Sequence, residues 1–178
     1  MNFADAEREG KLQDIVLDTM VFFDLHTGYI LSNILFLRDH FCFHATNFIE
    51  NEIKSIDPRY TRLLSVKFED SPGHEISRIH ELRNRYTHVS LEDHSAMVLA
   101  NRLGCKLITR DGFLIEAKNI EYPDIQNDHT IWLVEQMIEH DILNPEEANS
   151  AIDRIISKLP MFKDGIGMDR LKRIRNLK

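Results

Sequence analysis

Apolar positions along the chain follow two periods, and the switches between them outline its elements. Asp14-Ile15-Val16-Leu17-Asp18 is a short β-branched run closed by an acid, the pattern of a strand buried on both faces of a parallel sheet. From Thr19 to Leu37 apolar residues recur at helical spacing, so a helix is expected next. Phe41-Cys42-Phe43-His44-Ala45 reads as a second strand. Thr46-Asn47 offers an N-cap pair for a short helix with Phe48, Ile49, Ile53 and Ile56 on one side, ended by Pro58. Within 62–68, Leu63-Leu64-Ser65-Val66 suggests a third strand. His74 to Tyr86 reads as a helix with Ile76, Ile79, His80 and Leu82 facing inward.

Val89 to Leu114 is the clearest unit. Ser90 is placed to cap a helix, with Asp93 three residues on, and Ala96, Leu99, Ala100 and Leu103 form its apolar stripe. Gly104 falls where a left-handed C-cap is wanted. Cys105-Lys106-Leu107-Ile108-Thr109 follows as a strand and Arg110-Asp111-Gly112 as a tight turn. Helix, strand and turn make half of a βαβ crossover, and repetition of that unit predicts an α/β fold with a doubly wound parallel sheet flanked by helices. Beyond Asp124 the pattern is all helical: Ile131, Val134, Met137 and Ile138 in phase over Thr130 to Glu139, then Ala148, Ile152, Ile155 and Ile156 after Pro145, then a last short helix from about Met168.

Neither repeat nor Pro/Gly/Ser linker interrupts the 178 residues, so one domain is expected over 1–178, with a core at about 14–124 and a helical C-terminal extension at about 125–178. No apolar run approaches the ~20 residues of a membrane span, and Met1 to Gln13 mixes both charge signs, unlike a signal peptide. Cys42 and Cys105 are too few for a disulfide framework, which points to a reducing, cytoplasmic setting. A net charge of −7 argues against a simple electrostatic binder of nucleic acid. The charge is uneven, however: seven basic residues from Lys158 onward face two acidic ones, and Arg78, Arg83 and Arg85 form a second basic group. Such groups are ordinarily solvated helix faces; the alternative is a phosphate-contacting rim around an acidic centre.

Four acids stand out by position. Asp18 ends the first strand, Glu52 lies a turn into the helix after the second, Asp93 opens the helix before Leu107-Ile108, and Asp111 follows that strand. Ligands of open α/β sheets bind outside the carboxyl ends of the strands, where Asp18 and Asp111 are expected. Taken singly, Asp93 is also read as a helix capper, Asp111 as a turn residue and Glu52 as a surface acid rivalled by Glu50. Together, four converging carboxylates demand a counter-charge, and all-oxygen ligation favours Mg²⁺ or Mn²⁺. Phosphodiester cleavage by metal-activated water is the chemistry that most needs such an ion.

At these residues the sequence resembles the PIN-domain family of metal-dependent ribonucleases. Ile15-Val16-Leu17-Asp18-Thr19 is similar to that family's opening strand and first catalytic aspartate, and Phe48-Ile49-Glu50-Asn51-Glu52-Ile53 to the segment bearing its catalytic glutamate, which selects Glu52. Ser90 to Asp93, the small-residue helix through Ala100, and Leu107-Ile108-Thr109-Arg110-Asp111 resemble its most recognisable block. The resemblance covers roughly Ile15 to Leu114. It implies catalytic Asp18, Glu52, Asp93 and Asp111, with Asp18, Asp93 and Asp111 on the metal and Thr109 and Thr19 in support. It also implies Mg²⁺- or Mn²⁺-dependent cleavage of single-stranded or structured RNA, often by the toxin of a toxin–antitoxin pair, and frequent homodimers. Arg110, Arg83, Arg85, Lys172 and Arg173 are the candidate nucleic-acid rim. Where the family often has Asn two residues after its first Asp, this chain has Met20.

Other motifs are weaker. His40, Cys42 and His44 are closely spaced, but no second group of Cys or His pairs completes a zinc set. His74-Glu75 lacks the second His of a metalloprotease helix, and no Gly-rich phosphate loop is present. His88 and His94 flank the acids and read as surface polar groups or substrate contacts, and Trp132 as core. Two rival functions are a Mg²⁺-dependent phosphoryl-transfer or phosphatase-like protein, disfavoured because Met20 stands where a second acid is needed, and a catalytically weak PIN-like nucleic-acid-binding module.

Overall fold

The computed structural model describes residues 12–54, 56, 64–158 and 167–177, the side chains of 167 and 168 excepted. Five strands, β1 (Gln13–Leu17), β2 (Phe41–Thr46), β3 (Val66–Glu69), β4 (Lys106–Ile108) and β5 (Asn127–Asp128), form one sheet in the order β3-β2-β1-β4-β5. Every pairing is parallel. The expected doubly wound parallel sheet flanked by helices is therefore present. The chain winds from β1 through β2 to β3, then crosses to the other side of β1 for β4 and β5. The switch point lies between β1 and β4, where Leu17 pairs with Ile108.

Helices fill the connections: α1 (Thr19–Thr27), α2 (Asn47–Ile53), α3 (Gly73–Arg85), α4 (Leu91–Leu103), α5 (Gly112–Glu121), α6 (Thr130–Glu139), α7 (Pro145–Ser157) and α8 (Gly167–Arg175). Alternation of side chains gives the sheet two faces. Phe41 and Phe43 share one, where the Phe41 ring meets Trp132 of α6 edge-on at 5.3 Å. The opposite face of β1 and β2, with Asp14, Val16, Cys42 and His44, lies under α4. Ile15, Val16, Leu17, Phe43, Leu107 and Ile108 are buried in one continuous core that also takes in Val134, Met137, Ile152 and Ile174 of the C-terminal helices. No single described helix is long and apolar enough to cross a membrane.

The local signals in the 90–104 unit are satisfied: the Ser90 hydroxyl accepts from Asp93 N at 3.0 Å, and Gly104 adopts φ +60°. Four expectations are corrected. The helix after β1 stops at Thr27 and resumes as a 3-10 segment, Leu31–Asp39, because α7 closes on the break. A Cβ on Gly28 would stand 3.2 Å from Ile155, Arg154 donates to Gly28 O at 2.8 Å, and Tyr29 turns to φ +61°. The third strand, expected within 62–68 and centred on 63–66, lies at Val66–Glu69, overlapping only the end of that span and held in register with Phe43 to Thr46; Pro58 and 62–63 fall outside the described residues. In α3, Ile79 and Leu82 face inward but Ile76 and His80 are exposed. The region after Asp124 is not all helix, since β5 forms there. Two residues are too few to show a period, and backbone bonds to β4 create the strand (Leu107 N to Gln126 O and Thr109 N to Asp128 O, each 2.9 Å).

Candidate functional site

The site begins at the switch point. Asp18 follows the last residue of β1, its N–H bonded to Ile108 O at 3.1 Å, and is completely buried. One carboxylate oxygen accepts the Thr109 hydroxyl at 2.6 Å. The other, Oδ1, is buried without a hydrogen-bond partner among the described residues. Asp93, in the first turn of α4, stands close enough to Asp18 for its charge to act on the Asp18 carboxyl. Burial first, and the Asp93 carboxylate second, hold the Asp18 carboxyl well above the usual carboxylate range, against the opposing bonds from Thr109 and the Met20 backbone N–H.

The remaining acids approach by different routes. The Thr109 hydroxyl, besides holding Asp18, accepts the Asp111 N–H at 3.1 Å. Asp111 caps α5: its Oδ1 accepts from Phe113 N at 2.8 Å and Leu114 N at 3.2 Å, which takes up one of its two oxygens. The tight turn expected at 110–112 is thus the start of a helix. Glu52 is on the exposed side of α2, where its Oε2 accepts the Thr19 hydroxyl at 2.7 Å. Thr19 ties Glu52 to the residue beside Asp18, and Asp93 lies beside Asp18, but among the described residues no three of these four acids bring ligand atoms within 4.8 Å of one another, short of the expected convergence. The pair could suit a hard cation: Asp18 keeps a buried oxygen with no hydrogen-bond partner among the described residues, a second carboxylate lies beside it, and oxygen donors are what Mg²⁺ and Mn²⁺ prefer.

The five basic rim candidates are distributed more widely. Arg110 turns inward and pairs with buried Asp24 at 3.0 Å, beside the Thr130 hydroxyl, which donates to Asp24 at 2.9 Å. Arg85 joins Glu81 at 2.8 Å and also Glu121; Lys172 lies 3.6 Å from Asp169, and Arg173 3.0 Å from Glu135. Arg83 is exposed on α3. Of the flanking histidines, His88 is exposed and packs at 5.6 Å on Phe113. His94 is fully buried, its Nδ1–H donating to Ser90 O at 2.7 Å and its Nε2 without a hydrogen bond. Burial holds the His94 imidazole below its usual range.

Sequence reasoning missed a second group. Asp14, Cys42 and His44 bring donor atoms within 4.8 Å of one another, the one such trio of metal-ligating side chains among the described residues. His40 is absent from it, stacked on His140 at 3.6 Å. The missing partner for Cys42 and His44 comes from β1, and only the pairing of Asp14 with Cys42 in register reveals it.

No family model matches the chain, and no curated protein sequence matches it. Among solved structures, one that it resembles is the crystal structure of VapBC2 from Rickettsia felis bound to a DNA fragment from their promoter. The identity is 14% and the TM-score 0.45, over 66% of this chain and 98% of that one.

Proposed function

We propose that the chain is a PIN-like endoribonuclease that cleaves single-stranded or structured RNA with Mg²⁺ or Mn²⁺. The observation that carries this reading is the like-charged, buried contact of Asp18 and Asp93 at the sheet's switch point, with Asp18 Oδ1 unpartnered. Two carboxylates without a cation are costly there, and a divalent ion relieves the conflict. Asp18, Asp93 and Asp111 would hold the ion, and Glu52 would complete the acidic set from the exposed side. When bound, the ion supplies Lewis-acid polarisation of the scissile phosphate and an acidified water ligand. Thr109 fixes the carboxylate plane of Asp18, and Thr19 fixes Glu52. Exposure of Glu52 leaves the acidic edge open toward a strand lying across the sheet's C-terminal rim, with exposed Arg83 as a candidate phosphate contact, while Arg85, Arg110, Lys172 and Arg173, the other rim candidates, each already face a carboxylate. A cognate antitoxin protein, a homodimer and a cytoplasmic location accompany this reading as further proposals. The capping bonds of Asp111 favour a second reading, a catalytically weak nucleic-acid-binding module, because they occupy one of its carboxylate oxygens.

Thermal unfolding with Mg²⁺ or Mn²⁺, paired with a single-stranded RNA cleavage assay, separates the two. A hundredfold excess of ion over its dissociation constant should stabilise the fold by ~2.7 kcal/mol, and cleavage should disappear in Asp18→Asn and Asp111→Asn. Stabilisation without cleavage would support the binding module. Cleavage that persists in both variants would overturn the site.

A further inference from the structure

The trio on β1 and β2 is chemically unlike the acidic edge. It joins a thiol, an imidazole and a carboxylate, and mixed sulfur, nitrogen and oxygen donors favour a borderline-soft ion over Mg²⁺. We propose that Asp14, Cys42 and His44 form a second metal site, taking a zinc-type divalent ion with three protein ligands and a fourth position open.

Three features support the assignment. The first is placement. Asp14 and Cys42 are register partners on neighbouring strands, and His44 lies two residues beyond Cys42 on the same face. Tetrahedral zinc at ~2.0–2.3 Å from its ligands sets donors roughly 3.5 Å apart. The present donors, all within 4.8 Å with His44 Nε2 2.9 Å from Asp14 Oδ1, need to move by only about 1 Å to meet that geometry.

The second feature is the far side of the histidine. His44 Nδ1 lies 3.0 Å from Glu69 on β3. A metal-ligating imidazole ordinarily donates its other N–H to a carboxylate, which fixes tautomer and ring orientation. Glu69 is so placed, and Arg102, 3.7 Å away, backs it. A neutral imidazole carries a single N–H and can serve only one of the two flanking carboxylates. With an ion bound at Nε2, Nδ1–H would be given to Glu69, and the ion rather than a proton would stand between Nε2 and Asp14. His44 is also buried, so its position is set by packing rather than by solvent.

The third feature is the thiol's surroundings: Lys67 of β3 is the register partner of His44, which puts a basic residue on the sheet face that carries Cys42. The site is also separate from the acidic edge. Asp14 precedes Asp18 by four residues on one strand, about 13 Å at the ordinary strand rise. An ion there would join the start of β1 to the middle of β2 and, through Glu69, engage β3.

The test uses the full chain, stripped with chelator, kept reduced and titrated with Co²⁺. One equivalent should produce thiolate-to-metal charge-transfer absorption that Zn²⁺ then abolishes, with a rise in Tm. Cys42→Ser should lose the absorption, and Asp18→Asn should keep it, so failure of the nuclease site leaves this result intact. Should Cys42→Ser misfold, Asp14→Asn at a half-exposed position should weaken Co²⁺ binding at least about tenfold. Absence of the charge-transfer band would overturn the proposal. So would a band that survives in Cys42→Ser and vanishes in Cys105→Ser.

Discussion

Asp18 and Asp24 lie six residues apart, and both are buried, yet their surroundings differ in sign. Asp24 receives an arginine and a hydroxyl, Arg110 at 3.0 Å and Thr130 at 2.9 Å. Burial raises its carboxyl to about 6, with Arg110 and Thr130 pulling it back down. Asp18 receives a hydroxyl from Thr109, but the charge facing it is Asp93, which adds to the burial penalty instead of opposing it. The fold has a cation at hand, since Arg110 follows Thr109 directly, and directs it to Asp24. Asp24 is neutralised from within the chain, whereas no arginine or lysine among the described residues opposes the burial of Asp18, and the proposed metal ion would fill that role. That asymmetry is the physical basis of the metal assignment.

The sharpest way to break the comparison is Asp18→Asn. Its amide can accept from Thr109 and donate to Asp93, so the packing survives while a ligand charge is lost. RNA cleavage should fall by about 10³-fold, roughly 4 kcal/mol of transition-state stabilisation. Stability without divalent ion should move the other way. A carboxyl raised by folding contributes stability at low pH that is lost as pH climbs through the folded value. Asp18→Asn removes that loss, so the variant should exceed the wild type at neutral pH in chelator, and Mg²⁺ should no longer raise its Tm. A variant that is less stable in chelator would show that the pair holds the fold together and is no vacancy for a cation.

Arg110→Gln probes the other half. Removing one member of a buried pair costs about 3 kcal/mol, measurable by urea unfolding at pH 7. The cost should shrink below pH 6, because the Asp24 carboxyl is raised from 3.8 to about 6 and the arginine matters only to its ionised form. Losing Arg110 pushes that carboxyl higher still, which widens the pH range over which the variant recovers. Unchanged stability, with weakened RNA binding, would restore Arg110 to the nucleic-acid rim.

The sequence made some of this legible and hid the rest for identifiable reasons. β1, β2 and the α4 unit were readable because their signals are local: a β-branched run, an alternating run, a Ser90 cap and a Gly104 stop. The break at Gly28 and Tyr29 was hidden because Ile155 and Arg154, far along the chain, enforce it. Asp24 resembled any helix acid, and Arg110 any rim cation, until the fold brought them together. Asp14 looked like a strand-edge acid, and its meeting with His44 depends on parallel pairing that no single segment encodes. For Asp18 and Asp93 the positions were legible, but the lack of an opposing arginine or lysine among the described residues was not, because it shows only once those neighbours are placed. Glu52 and Asp111 show the reverse: their positions at strand and helix ends were readable, yet the Thr19 contact and the α5 cap that occupy them were not.

The smallest expected effect is also the most specific. Thr109 sits where β4 ends, gives its proton to Asp18 at 2.6 Å and receives the Asp111 N–H at 3.1 Å. Thr109→Val keeps the shape and removes both bonds. Losing ordinary hydrogen bonds costs about 1 kcal/mol of stability each, but the Thr109 bond to Asp18 favours the ionised carboxyl in a setting that otherwise disfavours it. Without it the Asp18 carboxyl rises further, so an ion must displace a more tightly held proton. Mg²⁺ affinity should therefore fall more steeply on acidification in Thr109→Val than in the wild type, while Thr109→Ser, which retains the hydroxyl, should restore the wild-type slope. Parallel slopes in all three proteins would mean that Thr109 merely braces the end of β4, and the contrast between Asp18 and Asp24 would then rest on Asp93 alone.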